Sequence, residues 1–290
     1  MNGAAGWARA VQPALQGRVH MAAWMATGLR LLATVALMAL GAGAPFAAAC
    51  APSGARQVAT SQTPRPTATA QPPIEPTPAP SGVAMEQVTF KTEDNKMLDG
   101  RLMGQGTKGV LLAHMRPSDQ TAWFDMAWLI AQSGYLVLTF DFRGYGVSDG
   151  PIEPSVLDRD VRGGLKFLRE RGATRVALIG ASMGGTAVLK VAAAEELAGV
   201  ASLSAPSRID NLQVTPQEIG RIKAPKLFIA AEGDDGGSYL RAAQTFLAAA
   251  SGTKELRSFP GTAHGTDLLI GEQGQPVRHL LLEFVTRSMP

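Results

Sequence analysis

From Val83 to the C-terminus, short apolar runs alternate with helical patterns, and this alternation is the strongest constraint on the fold. Runs such as VLLA, LVLTF, RVALI and KLFIA are almost entirely apolar, as in strands that are covered on both faces. Strands that alternate with helices predict an α/β domain, a mostly parallel eight-stranded sheet with helices on both faces. The predicted strands are 86–91, 97–103, 108–113, 135–140, 174–179, 200–203, 226–231 and 254–259. The predicted helices are 121–133, 155–171, 184–195, 238–250 and 276–287.

The first 50 residues have the features of an export signal. Arg30 precedes a stretch without charged residues over 31–49, and this stretch ends in the small residues Ala47, Ala48 and Ala49. A basic flank, a short apolar run and a small-residue exit are typical of a secretory signal. Met21 is a plausible true start in place of Met1, because residues 21–30 alone supply an ordinary basic region.

Cys50 follows the small residues directly, and the segment resembles a bacterial lipoprotein signal. The resemblance implies that Cys50 is lipidated and becomes the mature N-terminus, although Ala47 stands where a leucine is usual. Ordinary secretion and a retained membrane helix are the alternatives, since Ala47–Ala49 also suits signal peptidase and about 19 apolar residues can just span a bilayer. The expected location is the outer face of the bacterial cell membrane, with secretion as the alternative.

Residues 51–82 predict a spacer between this signal and a domain over 83–290. The spacer holds eight of the 19 prolines in a Thr/Ala/Gln/Ser background, which favours extended polyproline II over a packed core. At about 3.1 Å per residue, it could hold the domain up to roughly 100 Å from its anchor.

Charge and cysteine content exclude two classes of partner. Residues 1–82 carry a net charge of +4, whereas 83–290 hold 22 basic and 23 acidic side chains and a net charge of −1. The predicted domain is therefore not basic overall, electrostatic binding of nucleic acid loses its main support, and no nucleic-acid partner is expected. With one cysteine and four histidines and no HExxH-type motif, no metal site is expected either.

The loop after the fifth strand reads GASMGG over residues 180–185, which is G-x-S-x-G at a strand-to-helix junction. Such a sharp turn needs small residues on both sides of the serine, and it lifts the serine hydroxyl clear of the sheet. In this position Ser182 is a candidate nucleophile rather than an ordinary turn serine.

These residues resemble the α/β-hydrolase superfamily over about 86–288. Further anchors are the DFRGYG turn at 141–146, the EGDD segment at 232–235 and the PGTAHG segment at 260–265, because the family order is nucleophile, acid, histidine. The resemblance implies that His264 is the general base and Asp234 the acid that orients it. Asp235 is the near rival for the acid, and Asp210 is a distant third.

The same resemblance implies an oxyanion hole of two backbone N–H groups. One comes from Met183, and the other from the loop after the third strand, from Met115 or Arg116. Met115 stands where the family usually has glycine, so the choice between these two donors is open. His114 is interpreted as a structural residue that bonds loop backbone, and the 141–148 turn as architectural, with Arg143 paired locally.

The segment between the sixth and seventh strands is too short for a large helical lid, so an open pocket is expected. The aromatic residues Trp123, Phe124 and Trp128 are predicted mainly as core packing, with an acyl pocket as the alternative.

The predicted function is a serine hydrolase that acts by nucleophilic acyl transfer on a small-molecule ester with a small or medium acyl group, without a cofactor. A peptidase or an acyltransferase of the same fold remains an alternative. A non-catalytic surface binding lipoprotein is the alternative from another class. Epoxide-hydrolase and dehalogenase chemistry is disfavoured, because those relatives carry an aspartate at the elbow where this chain has Ser182. No oligomeric state is predicted.

Overall fold

The computed structural model describes residues 82–290. The predicted signal, Cys50 and nearly all of the proline-rich spacer fall outside the described residues, so the structure does not bear on them. Among the described residues, none of the helices combines the length and the apolarity that crossing a membrane requires.

The described domain is built on an eight-stranded, mostly parallel sheet, which confirms the fold class predicted from the apolar runs. The strands of the whole domain are β1 (Met85–Lys91), β2 (Met97–Met103), β3 (Lys108–Ala113), β4 (Leu136–Phe140), β5 (Arg175–Ala181), β6 (Gly199–Leu203), β7 (Arg208–Ile209), β8 (Leu212–Gln213), β9 (Lys226–Ala231) and β10 (Lys254–Phe259). The main sheet has the order β1-β2-β4-β3-β5-β6-β9-β10, and β7 and β8 form a separate small hairpin. Within the main sheet only β2 runs against its neighbours.

Helices cover both faces of the sheet. They are α1 (Phe124–Gln132), α2 (Leu157–Glu170), α3 (Met183–Ala192), α4 (Pro216–Arg221), α5 (Ser238–Ala249) and α6 (Gly274–Ser288). One core cluster joins the sheet to α2, α3 and α5, and a second joins it to α1 and α6. Along β3, Leu111 belongs to the first cluster and Leu112 to the second, because successive side chains of a strand point to opposite faces. This is why residues 110–113 of the strand are apolar without interruption.

The connection from β6 to β9 contains only the β7–β8 hairpin and the short helix α4. Thr215 caps α4 and forms a capping box with Glu218, and Pro216 occupies the first turn. No long lid lies in this connection, as the sequence predicted.

The 141–148 turn is architectural, as predicted, but the expected local pairing of Arg143 is wrong, because its partners are distant in sequence. Arg143 donates hydrogen bonds to Asp160 at 2.7 Å and 2.9 Å and to Asp94 at 2.8 Å and 3.0 Å. Its side chain is 1% exposed and that of Asp160 is 0% exposed. The turn is therefore tied both to α2 and to the β1–β2 hairpin.

Parallel strands place their carboxyl ends at one edge of the sheet, and ligand sites in open α/β sheets form there. The loops after β3, β5, β9 and β10 begin at this edge and carry His114, Ser182, Asp234 and His264.

Candidate active site

Ser182 lies in a strained turn between β5 and α3. Its φ of 49° and ψ of −116° fall in a region that non-glycine residues rarely adopt, and holding a residue there costs about 1–3 kcal/mol. The turn is held by the Ser182 N–H, which donates to the carbonyl of Leu203 at 2.8 Å. Ser182 is 8% exposed. A strained serine at a strand-to-helix junction has the geometry that a nucleophile requires.

The glycines of the turn are needed because backbone passes close to them. A Cβ on Gly180 would overlap the carbonyl of Gly184. A Cβ on Gly184 would overlap the carbonyl of Ala113 and lie 2.5 Å from that of His114. The start of α3 therefore packs directly against the end of β3, where the oxyanion loop is predicted.

Asp234 and His264 are joined by a hydrogen bond across two loops. The Nδ1 of His264 lies 2.8 Å from Oδ2 of Asp234, and the Asp234 side chain is 5% exposed against 25% for the imidazole. A buried carboxylate in this position selects the tautomer with its proton on Nδ1, which leaves Nε2 free to accept a proton. The arrangement suits a general base.

The two rival acids lie elsewhere. Asp235 is exposed and accepts a hydrogen bond from the Ser238 hydroxyl at 2.7 Å. Asp210 is exposed in the turn of the β7–β8 hairpin. Of the three candidate acids, Asp234 is the one that contacts His264.

The loop of His264 packs against the loop of Ser182 through Gly265. A Cβ on Gly265 would lie 3.4 Å from the Cβ of Ala181 and 2.6 Å from Sδ of Met115. The residues next to His264 and Ser182 and the predicted oxyanion loop therefore pack together at Gly265. Within the described residues the Ser182 hydroxyl makes no hydrogen bond. In active sites without substrate, the hydrogen bond between a nucleophile and its base is often long and tightens only when substrate binds.

His114 anchors the first part of the predicted oxyanion loop. Its Nδ1 donates to the carbonyl of Met115 at 2.8 Å, and its Nε2 accepts from the N–H of Phe142 at 3.1 Å. Complete burial lowers the pKa of His114 to about 4, so the ring is neutral and can serve as donor and acceptor at once. This is the structural role that the sequence predicted.

Gln120 anchors the far end of the same loop, and sequence reasoning missed it. Its N–H donates to Oδ1 of Asp141 at 2.8 Å, and its amide donates to both Asp141 and Asp99 at 2.9 Å. Burial raises the pKa of Asp141 above the usual aspartate range. A polar residue directly after the buried strand β4 was the available signal, because that position lies at the functional edge of the sheet.

Met183, Met115 and Arg116 are the residues that the sequence predicts for the oxyanion hole. Met183 is the first residue of α3, where backbone N–H groups have no partner within the helix. Met115 is buried and packs towards Gly265, whereas the Arg116 side chain is exposed. The choice between Met115 and Arg116 as the second donor stays open.

The aromatic residues after the oxyanion loop divide between core and surface cavity. Trp123, which precedes α1, and Trp128, within α1, are buried in the core cluster that joins the sheet to α1 and α6, as predicted. Phe124 lines a cavity of about 510 Å³ beside β2 and the 141–148 turn. A further aromatic residue, Tyr239 at the start of α5, lies against His264 and was not singled out from the sequence.

Comparison with known proteins identifies the family of this chain. A model of the alpha/beta hydrolase fold matches residues 110–262. Bifunctional epoxide hydrolase 2 of Sus scrofa is 35% identical over 130 residues, which is 43% of this chain and 23% of the relative. Its counterpart in Rattus norvegicus is 32% identical over 123 residues, 41% of this chain and 22% of the relative. The chain thus matches less than a quarter of these curated relatives.

Solved esterases share the fold. An esterase of Pyrococcus furiosus superposes with a TM-score of 0.61 at 22% identity and covers 71% of this chain and 94% of its own. The esterase domain of a Rhodothermus marinus protein superposes with a TM-score of 0.59 at 24% identity, over 70% of this chain and 99% of its own.

Proposed function

Since the chain belongs to the α/β-hydrolase fold family, we propose that it is a serine hydrolase that cleaves carboxylic esters through Ser182, His264 and Asp234. The observation that carries the proposal is the 2.8 Å contact between His264 and a buried Asp234, at the edge where Ser182 occupies its strained turn. The likeness to solved esterases supports the fold on which this chemistry is common. Serine at the elbow favours acyl transfer over the epoxide chemistry named in the matched relatives.

The proposed reaction has two halves. His264 takes the proton of the Ser182 hydroxyl through Nε2 while the oxygen attacks the acyl carbonyl. The N–H of Met183 and one N–H from Met115 or Arg116 stabilise the oxyanion. His264 then returns the proton to the departing alcohol as the ester C–O bond breaks. Water, activated by the same imidazole, releases the acid from Ser182 in the second half.

Covalent labelling tests the nucleophile. The parent protein should react with a fluorophosphonate probe and hydrolyse short-chain p-nitrophenyl esters. Ser182→Ala should lose the labelling and about three to six decades of rate, as loss of a triad member does. Ser204→Ala is the matched control, because Ser204 also has a positive φ, of 48°, at the end of the neighbouring strand. Labelling retained in Ser182→Ala would refute the assignment, and an unreactive parent would favour a non-catalytic binding protein.

We also propose that the chain is exported and held at a membrane by lipid on Cys50. The support is its sequence: one cysteine at the exit of a signal, followed by a proline-rich spacer. Several acyl chains hold a protein firmly on a bilayer, whereas one is marginal. In a bacterium that processes lipoproteins, the parent and a Ser53→Ala control should fractionate with membranes. Cys50→Ser should be soluble or remain a heavier precursor. A Cys50→Ser protein that behaved as the parent would refute the lipid anchor.

A further inference from the structure

The ring of Tyr239 lies against the imidazole of His264. The two ring centroids are 4.4 Å apart and the ring planes meet at 55°. Tyr239 is the second residue of α5, and Asp234 begins the 3₁₀ turn that directly precedes this helix. The segment from Asp234 to Tyr239 therefore makes both contacts to His264, a hydrogen bond at Nδ1 and an aromatic contact with the ring.

The two contacts respond differently to a proton on the imidazole. The face of an aromatic ring attracts a cation within about 6 Å of its centroid. In the proposed reaction His264 is neutral before the attack and carries a positive charge at the tetrahedral intermediate. An aromatic neighbour at 4.4 Å therefore favours the charged form that exists only after the proton has moved. An interaction that strengthens in the transition state accelerates the chemical step.

We propose that Tyr239 is a positioning residue for His264, which acts through its aromatic ring. The proposal rests on the proposed function, since it assigns a role to a neighbour of the base. The ring holds the imidazole in the plane that directs Nδ1 to Asp234, and it stabilises the imidazolium. Tyr239 is neither a nucleophile nor a proton donor in this role.

The hydroxyl of Tyr239 has no part in the proposal. Within residues 82–290 it makes no hydrogen bond to another side chain or to the backbone. Burial, together with the charges of Asp234 and Asp235, raises the pKa of Tyr239, so the phenol keeps its proton at neutral pH. A neutral ring keeps the π-electron density that attracts a cation, and phenylalanine supplies a ring of the same kind.

The other charged groups around the imidazole leave Asp234 as its direct partner. Asp235 is exposed and bonded within its own turn, and Arg241 of α5 donates to a backbone carbonyl of that turn. Asp267 follows in the 3₁₀ turn after His264 and is exposed. A change at Tyr239 therefore leaves the charges around the base as they were.

The test compares Tyr239→Phe, Tyr239→Leu and Tyr239→Met in the full chain, with Leu240→Ala as the matched control. Leu240 is the next residue of α5 and packs into the core on the α2–α3–α5 face. Each variant is measured for kcat and KM on a p-nitrophenyl ester from pH 5 to 9, for fluorophosphonate labelling and for melting temperature. The methionine variant supplies a second, unbranched and more flexible non-aromatic side chain if leucine prevents folding.

Tyr239→Phe should stay within about twofold of the parent, since the ring is kept. Tyr239→Leu and Tyr239→Met should lower kcat by about 3- to 30-fold with KM little changed. Their acidic limb of kcat/KM should move to lower pH by about 0.5–1.5 units, because the charged imidazole loses its stabilising neighbour. Leu240→Ala should leave that limb in place, whatever its effect on melting temperature.

Three results would overturn the inference. The limb could stay fixed in both aliphatic variants, Tyr239→Phe could lose as much activity as Tyr239→Leu, or the loss could fall on KM alone, as for a residue that binds substrate. These failures are distinct from failure of the proposed function. That failure would appear as a parent protein that the probe does not label at Ser182.

Discussion

Replacing Arg143 with methionine should destabilise the domain strongly, because it leaves Asp160 buried without its cation. Arg143 meets Asp160 through its guanidinium at 2.7 Å and 2.9 Å, and its backbone N–H donates to the same carboxylate at 3.0 Å. Methionine fills much of the same space but donates no hydrogen bond. Only the backbone N–H would remain to satisfy the carboxylate.

The size of the loss follows from burial. Removing one partner of a buried ion pair typically costs about 3–5 kcal/mol, and the remaining backbone hydrogen bond places the expected loss near 3 kcal/mol. The whole stability of a domain is only about 5–15 kcal/mol. Arg159 offers a matched control: it is 43% exposed and lies 3.4 Å from Asp94. Arg159→Met should cost less than about 1 kcal/mol.

The loss should shrink at low pH. Burial raises the pKa of Asp160 above the usual aspartate value, while the hydrogen bonds from Arg143 oppose that rise. Without Arg143 the pKa rises further, so the folded variant holds a proton that the unfolded chain has released. Stability of the variant then falls as pH increases through this window, by at most about 1.4 kcal/mol per unit. The deficit is therefore larger at pH 8 than at pH 5.

Urea unfolding of the parent, Arg143→Met and Arg159→Met at pH 5 and pH 8 measures these differences. Adding Asp160→Asn to Arg143→Met should recover part of the lost stability at pH 8, since a neutral amide replaces the buried charge. Equal small losses in the two arginine variants, or a deficit that is independent of pH, would refute the reasoning.

Three further predictions concern the candidate site. Asp234→Asn should slow turnover by about four decades and Asp235→Asn by less than about tenfold, because of these two acids it is Asp234 that contacts His264; equal losses in steady-state assays would contradict this. Burial lowers the pKa of His114 to about 4, so the unfolded chain takes up a proton first and stability should fall by about 2 kcal/mol from pH 7 to pH 5; urea unfolding of His114→Phe should lack that component. Gly184→Ala should cost about a hundredfold in kcat, because its Cβ meets backbone carbonyls, whereas Gly220→Ala, with its nearest neighbour at 3.4 Å, should keep parent activity.

The strands were predictable where burial leaves a continuous apolar run. The predicted bounds 108–113 and 226–231 agree with β3 and β9, because both strands are covered on both faces and end at polar or glycine-rich turns. The start of α1 was harder to predict. The predicted helix began at 121, but residues 120–123 form a 3₁₀ turn capped by Asp119, and the α-helix begins at Phe124. Apolar periodicity does not separate one helical form from the other.

The absence of a long lid between β6 and β9 was predicted from the length of the connection alone. The sequence of this connection also contains a signal for a helix start. Thr215, Pro216 and Glu218 have the spacing of a capping box with proline in the first turn, which marks the start of α4. The two-residue strands β7 and β8 are too short for any alternation to appear. An absent lid can be inferred from segment length, whereas the small elements that replace it need local signals.

The order and spacing of candidate residues could be taken from the sequence, but their contacts could not. Ser182 follows from its glycine-flanked turn, and the choice between two adjacent acids depends on which side of a 3₁₀ turn faces His264. The contact between Tyr239 and His264 depends on how α5 leaves that turn, which no pattern in the chain specifies. Gln120 likewise becomes an anchor only because β4 lies between β2 and β3.

Met115, in the predicted oxyanion loop, packs against Gly265 of another loop. Met115 is buried although it stands where the family usually has glycine, and its sulfur lies where a Cβ on Gly265 would come within 2.6 Å. Gly265 also has a φ of +55°, a conformation that side chains disfavour. Two independent demands therefore hold glycine directly after the candidate base. Because the methionine occupies that space, the loop that carries His264 and the loop that carries Met115 pack against each other, and a side chain at position 265 would have to displace the methionine.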